Sequence, residues 1–99
     1  EYLLVPFAMA NLALVPDELT DEQVLMCPDI MSTGFGGAES GQIRIGDAVA
    51  IFAQGPIGLC VTAGAKLKGA SKIIVVDNIA KRLEVAKQLG ADITIDFSK

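Results

Sequence analysis

Three short apolar runs, separated by helix-like stretches, restrict the fold of this chain more than any other feature. The predicted order is strand 48–53, helix 57–67, strand 72–77, helix 80–89 and strand 92–95. Glycine follows each helix, at Gly69 and Gly90, where a left-handed residue commonly ends a helix. Strands that alternate with helices of about ten residues indicate βαβ units and a parallel sheet. The sequence therefore predicts an α/β fold, one βαβαβ half of a doubly wound parallel sheet.

The apolar composition fits such a sheet. Hydrophobic residues make up 52% of the 99 residues, and the mean hydropathy is +0.49. Strands that are covered by helices on both faces read as continuous apolar runs, and Ile73–Val76 is such a run. All the apolar runs fall short of the roughly 18 residues that a membrane-spanning helix needs, so we expect no membrane span.

Charge and residue content narrow the partners and the setting. The net charge is −4 and no basic cluster is present, so nucleic acid is not an expected partner. Cys27 and Cys60 are too few for a disulfide framework; we expect buried, reduced thiols and a cytoplasmic location. The chain has no His, the commonest zinc ligand and general base. It starts at Glu1 without a signal peptide, and we interpret it as an internal piece of a longer protein.

The opening of the chain, from Glu1 to Pro16, is less regular. Tyr2–Val5 and Asn11–Val15 are β-compatible stretches without helical periodicity, and Pro6 lies between them. We predict two short strands there.

A helix is predicted to begin at Thr20. Thr20 and Gln23 have the spacing of a capping box, in which each side chain binds the backbone N–H of the other residue. Pro28 lacks a backbone N–H, so a kink or break is expected near it. Residues 30–39 are helix-compatible but contain three glycines, each of which costs roughly 1 kcal/mol in a helix interior. Close packing or close approach of a ligand would justify those glycines.

The turn after the first strand has nearly the spacing of a dinucleotide-binding site. The full fingerprint is G-x-G-x-x-G, whose glycines let the backbone approach a pyrophosphate at a helix N-terminus. Residues 53–58 keep Gly55 and Gly58 but have Ala53 in place of the first glycine. Pro56 suits a first helical turn. Ala53 is tolerable if its φ is negative and carries a steric cost if its φ is positive.

Asp77 ends the second predicted strand, 22 positions after Gly55. The fingerprint has an acid about 20 residues after the glycines, where it accepts hydrogen bonds from the ribose hydroxyls. A carboxylate at this position favours a free 2′-hydroxyl and repels a 2′-phosphate, so we predict NAD rather than NADP. The plainer alternative is an ordinary tight turn, followed by a solvated loop acid or a helix cap.

The register of these residues also resembles the medium-chain dehydrogenase/reductase superfamily, in which they would belong to a Rossmann domain. The matching stretches are Gly46–Val49, Gly55–Leu59, Ala65–Ala70, Val76–Asp77 and Arg82–Asp92. Residues Pro28–Glu39 are similar to the segment of zinc-dependent alcohol dehydrogenases that supplies the last catalytic zinc ligand. That ligand is Cys in most members and Asp in a bacterial secondary-alcohol branch, and Asp29 matches the Asp version.

The resemblance implies a site for each part of the chemistry. Asp29 would coordinate the catalytic Zn²⁺, and Thr33 would contact the nicotinamide end of the cofactor. The pyrophosphate and the adenosine ribose would be lined by Gly55, Pro56, Ile57, Gly58, Asp77, Asn78 and Arg82. The implied activity is hydride transfer between NAD and a small-molecule substrate, a primary or secondary alcohol or a polyol. The parent protein would be a cytoplasmic homodimer or homotetramer.

The same resemblance divides the chain into three parts. Residues 1–19 would end a GroES-like catalytic domain, residues 20–40 would form interdomain helices with the zinc-ligand segment, and residues 41–99 would be the first half of an NAD-binding Rossmann domain. The remaining zinc ligands and the proton relay of the family belong to an upstream region that these residues do not include.

Several alternatives stay open. Asp29 would otherwise be a helix N-cap after Pro28, and Cys27 would be either the thiolate ligand or an inert thiol. A zinc-free quinone or enoyl reductase of the same superfamily, or a non-catalytic nucleotide-binding fragment, would also carry these motifs. The relatives with Asp as the zinc ligand commonly have Gly at the position of Asp77 and use NADP, whereas the charge of Asp77 favours NAD.

Overall fold

The computed structural model describes residues 2–99, and Glu1 lies outside the described residues. The helices are α1 (Ala8–Asn11), α2 (Asp21–Val24), α3 (Ser32–Ser40), α4 (Pro56–Leu67) and α5 (Ala80–Gln88), and a π-helical turn spans Cys27–Met31. The strands are β1 (Ala48–Phe52), β2 (Lys72–Asp77) and β3 (Ile93–Asp96). None of the helices within residues 2–99 has both the length and the apolar character that a membrane crossing requires.

The three strands form one parallel sheet in the order β1-β2-β3. Ala48 of β1 lies opposite Lys72 of β2, and Asp77 of β2 lies opposite Asp96 of β3. Helix α4 connects β1 to β2, and helix α5 connects β2 to β3. The βαβαβ arrangement predicted from the sequence is therefore confirmed. Because the strands are parallel, their carboxyl ends meet at one edge, where the turn after β1 also lies.

The hydrophobic core lies between the sheet and helices α4 and α5. Ile73 and Val75 of β2 are fully buried and pack with Ala65 of α4 and Ala86 of α5. The opposite face of β2 is only half-buried. The expectation of a strand buried on both faces therefore holds for one face.

Helix α3 packs closely against helix α4 because two of the residues that face α4 are glycines. A Cβ at Gly34 would overlap the Cβ of Cys60, and a Cβ at Gly37 would lie 3.2 Å from the side chain of Val61. A Cβ at Gly36 would face open space. Close packing thus accounts for Gly34 and Gly37.

The strands predicted at Tyr2–Val5 and Asn11–Val15 are wrong. Residues 2–5 and 12–15 have irregular backbone, and Asn11 ends the single helical turn α1. Phe7, which precedes α1, has a φ of 52°. A strand needs a neighbour to pair its backbone N–H and C=O groups, and residues 2–19 contain no strand for such a ladder.

The capping box predicted at Thr20 is present. The Thr20 N–H donates to Oε1 of Gln23 at 2.8 Å, and the Gln23 N–H donates to the Thr20 hydroxyl oxygen at 3.4 Å. The predicted break near Pro28 takes the form of the π-helical turn, in which the Met31 N–H donates to the Met26 carbonyl at 2.8 Å. The chain then continues directly into α3.

Both cysteines are free thiols, as predicted, but their surroundings differ from the prediction. Cys27 is exposed and Cys60 is half-buried. The expected burial of Cys27 is wrong, because its π-helical turn contains no buried residue in this chain.

Candidate functional site

The turn after β1 begins with a strained residue. Ala53 has a φ of 67°, in the left-handed region, and its N–H donates to the Val76 carbonyl at 2.8 Å. Of the two possibilities left open by the sequence, the structure therefore has the costly one. A left-handed conformation costs a residue with a Cβ roughly 1–2 kcal/mol, a cost that glycine avoids.

The two remaining glycines of the fingerprint have different roles. A Cβ at Gly58 would overlap the carbonyl oxygen of Ala53, so helix α4 can begin this close to the turn only with glycine there. A Cβ at Gly55 would have no heavy atom within 4 Å, so Gly55 faces open space. Gly55 is the N-cap of α4 without a side-chain cap, and Pro56 is the first helical residue. The first N–H groups of α4 are thus available to an anion.

The open space in front of the turn is a cavity of about 370 Å³. Its walls include Phe52, Gly55, Pro56 and Ile57, and also Ile30 from the π-helical turn. Because Ile30 directly follows Asp29, the segment with the predicted zinc ligand borders the same cavity as the turn.

Asp77 lies at the carboxyl edge of the sheet and is tied to the turn. Its side chain accepts three backbone hydrogen bonds, from Gln54 to Oδ2 at 2.6 Å and from Asn78 and Ile79 to Oδ1 at 2.8 Å each. The Nη1 atom of Arg82 lies 3.8 Å from Oδ2. The predicted residues Asp77, Asn78 and Arg82 therefore lie together beside the turn, and the Arg82 side chain is 45% exposed.

The hydrogen bonds keep Asp77 ionised although it is buried. The backbone N–H of Gln54 has the largest effect and, with those of Ile79 and Asn78, holds the pKa of Asp77 below its ordinary value of 3.8 despite the opposing effect of burial. Asp77 is 3% exposed, so the alternative of a solvated loop acid is wrong. A carboxylate has about four acceptor positions, of which the backbone uses three, so Asp77 retains capacity to accept from a ligand.

Asp29 lies inside the π-helical turn and not at a helix N-terminus. The N-cap of that turn is Met26, without a side-chain cap, so the N-cap alternative for Asp29 is wrong. The exposed Asp29 carboxylate accepts from the Thr33 hydroxyl at 3.0 Å. Metal-binding carboxylates are commonly oriented by such a hydrogen bond.

The side chains of this segment could supply one ligand of a zinc site but not a whole site. Catalytic zinc takes three protein ligands, whereas no group of three Cys, Asp or Glu side chains among residues 2–99 is placed to hold a metal ion. The Sγ atom of Cys27 lies 3.9 Å from the Gln23 carbonyl, toward the preceding helical turn.

A buried polar pair beneath the turn was missed from the sequence. Gln54 and Thr62 are both 0% exposed, and the Thr62 hydroxyl donates to Oε1 of Gln54 at 2.9 Å. Gln54 occupies a variable position of the fingerprint, which gives no signal. One pattern would have indicated the pair: a polar side chain directly follows an apolar strand, and a Thr comes about two helical turns later.

Comparison with known sequences assigns these residues to a family. The family model described as Zinc-binding dehydrogenase matches residues 56–99. An alcohol dehydrogenase of Cupriavidus necator is 67% identical over 97 residues, which cover 98% of this chain and 26% of that protein. An NADP-dependent isopropanol dehydrogenase of Thermoanaerobacter brockii is 42% identical over 97 residues, which cover 98% of this chain and 28% of that protein.

Solved structures give the same result. An alcohol dehydrogenase from Thermus sp. ATN1 matches with a TM-score of 0.84 and 45% identity, over 95% of this chain and 27% of that one. Zinc dependent alcohol dehydrogenase 2 from Streptococcus pneumonia matches with a TM-score of 0.86 and 35% identity, over 97% of this chain and 27% of that one. The chain thus spans about a quarter of the length of these relatives. It belongs to the zinc-dependent alcohol dehydrogenase family of the medium-chain dehydrogenase/reductase superfamily.

Proposed function

We propose that these residues bind NAD in a zinc-dependent alcohol dehydrogenase that transfers a hydride between NAD and a primary or secondary alcohol or a polyol. Residues 41–99 would be the first half of the NAD-binding domain, residues 20–40 the interdomain helices, and residues 1–19 the end of a GroES-like catalytic domain. The observation that carries the proposal is the Asp77 carboxylate, bound at 2.6 Å to the turn that Gly55 opens to a cavity. By the same family resemblance, we propose a cytoplasmic homodimer or homotetramer.

The preference for NAD over NADP rests on charge. Asp77 is ionised at neutral pH and would repel a 2′-phosphate, while its remaining acceptor position suits a ribose hydroxyl. Asn78 and Arg82 would lie beside that ribose or its phosphate. Several relatives are named NADP-dependent isopropanol dehydrogenases, at identities of 40–44%, so the cofactor is the point at which this chain would differ from them.

The zinc part of the proposal rests on Asp29. Its carboxylate would be one ligand, and the Thr33 hydroxyl at 3.0 Å would hold it in orientation. Thr33 would also contact the nicotinamide end of the cofactor. When bound, zinc would supply Lewis-acid polarisation of the alcohol oxygen, and NAD would supply the hydride acceptor. The cavity wall that Ile30 shares with Gly55 supports a metal and a cofactor close to each other.

Calorimetric titration with NAD and NADP tests the cofactor part. We expect NAD to bind at millimolar concentration or tighter, and more tightly than NADP. Gly55→Ala should weaken NAD binding, because its methyl group would enter the path of the pyrophosphate. Gly36→Ala is the matched control, since its methyl group also meets open space but lies in the middle of helix α3, outside the turn. Undetectable NAD binding, or equal effects of the two substitutions, would contradict the proposal.

The zinc part is tested by metal analysis of the complete protein that carries these residues. We expect Asp29→Ala to lower the bound zinc strongly, because it removes a ligand, while Asp17→Ala, an exposed acid in the opening segment, leaves it unchanged. Zinc content that is unaffected by Asp29→Ala would remove Asp29 from the metal site and favour the zinc-free reductases of the superfamily.

A further inference from the structure

We propose that Gln54 and Thr62 are positioning residues that hold the turn after β1 ready for the diphosphate of the dinucleotide. The inference rests on the proposed NAD-binding function and extends it to two residues below the turn, neither of which faces the cavity. The pair would thereby raise the affinity of the turn for one chemical part of the ligand, the diphosphate.

The pair forms a closed hydrogen-bond group under the turn. The Thr62 hydroxyl lies 2.9 Å from Oε1 of Gln54 and 3.0 Å from the Gly58 carbonyl, and shares its one hydrogen between these acceptors. Nε2 of Gln54 lies 3.4 Å from the carbonyls of both Ile51 and Ala53. The Gln54 side chain therefore connects the end of β1 to the second turn of α4.

The position of this group ties it to the binding surface. Ala53 is the strained residue at a φ of 67°, and its carbonyl fits against Gly58, where a Cβ would overlap it. The backbone N–H of Gln54 is one of the three backbone donors to Asp77 and the one that comes from the turn. Gln54 thus contacts the strained end of the strand, the second turn of the helix and the acid proposed for the ribose site. Without the Gln54 side chain, Ala53 has less to hold it in a conformation that is costly for alanine.

Loss of the hydrogen bond between Thr62 and Gln54 should change the conformation of the turn. A buried amide oxygen without its donor costs about 1–3 kcal/mol unless the surrounding structure moves to pair it. Movement of Gln54 would shift the carbonyl of Ala53 and the N–H groups that follow Gly55. In the proposed binding mode those N–H groups would face the diphosphate and would not contact the adenosine, so the two parts of the ligand should respond differently.

The test uses two ligands and a conservative rescue. ADP-ribose carries the diphosphate and adenosine lacks it, and their affinities are measured by titration for the wild-type protein, Thr62→Val and Thr62→Ser. We expect Thr62→Val to bind ADP-ribose about tenfold more weakly and adenosine within about twofold of wild type. Thr62→Ser keeps the hydroxyl and should restore ADP-ribose affinity to within about threefold of wild type.

Val75→Ala is the control for a general loss of stability, because Val75 is fully buried in β2 and contacts neither residue of the pair by a hydrogen bond. It should retain the affinity for ADP-ribose. Gln54→Met, which keeps the length of the side chain without its amide, should repeat the result of Thr62→Val. Unchanged ADP-ribose affinity in Thr62→Val and Gln54→Met would overturn the inference while leaving NAD binding in place. A loss of affinity in Val75→Ala equal to that in Thr62→Val would do the same. Absence of ADP-ribose binding by the wild-type protein would overturn the proposed function as well.

Discussion

Residues 41–99 and residues 2–31 are both rich in apolar side chains but use them differently. In the first region Ile73 and Val75 are fully buried between a sheet and two helices. In the second, Leu4 is 90% and Leu14 is 99% exposed. An apolar face is buried only when a second layer packs on it, and the βαβαβ region contains both layers. The contrast shows that residues 41–99 contain a packed core, whereas residues 2–31 have no such second layer among the described residues.

The largest expected difference concerns the two kinds of apolar residue. Ile73→Ala should lower the free energy of unfolding by about 2–5 kcal/mol, because it leaves a cavity in the core. Leu14→Ala, at an exposed site of the opening region, should change it by less than about 0.5 kcal/mol. Denaturant unfolding of the full chain measures both, and Ile73→Val, with an expected loss of about 0.5–1.5 kcal/mol, serves if Ile73→Ala does not fold. Equal effects at the two positions would contradict the contrast between the regions.

A smaller effect of opposite sign is expected within the packed region. Ala53→Gly should raise the free energy of unfolding by about 1 kcal/mol, because glycine adopts a φ of 67° without steric cost. Ala50→Gly is the matched control in β1, where glycine should lower stability by about 0.5–1 kcal/mol. A loss of stability in both variants would show that Ala53 is not strained.

The smallest effect at neutral pH concerns the protonation of Asp77. Its folded pKa lies below the ordinary value of 3.8, so its contribution to stability is complete above that value and is lost as the pH falls toward the folded pKa. Asp77→Asn cannot be protonated in this range and should be less stable at neutral pH, with a shallower decline in acid. Unfolding curves between neutral and acidic pH measure the two slopes. Parallel slopes would mean that the Gln54 hydrogen bond does not favour the carboxylate.

The packed region could be predicted from the sequence because its signals are local and periodic. The strands and helices from Ala48 to Asp96 lie within about two residues of the predicted bounds, since apolar periodicity and the glycines after each helix act over short distances. The position of Asp77 beside the turn also follows from topology, because parallel strands present their carboxyl ends at one edge.

The rest depended on contacts that a local pattern does not contain. Tyr2–Val5 and Asn11–Val15 have strand-like composition, but a strand also needs a partner, and composition does not supply one. The positive φ at Ala53 occurs where its carbonyl packs closely against Gly58, a contact that the spacing of the fingerprint does not contain. The buried pair of Gln54 and Thr62 is a tertiary contact between a variable motif position and a helix interior.

The measurement that tests the central claim most directly is the ratio of NADP to NAD dissociation constants before and after Asp77→Gly. The ratio cancels any general loss of affinity that follows from the broken hydrogen bond to Gln54. We predict that the wild-type protein binds NAD more tightly than NADP. Asp77→Gly should lower the ratio about tenfold in favour of NADP, the effect of removing roughly 1.4 kcal/mol of charge repulsion. Asp77→Asn, which keeps the shape and removes the charge, should shift it in the same direction. An unchanged ratio in both variants would contradict the assignment of Asp77 to the ribose site.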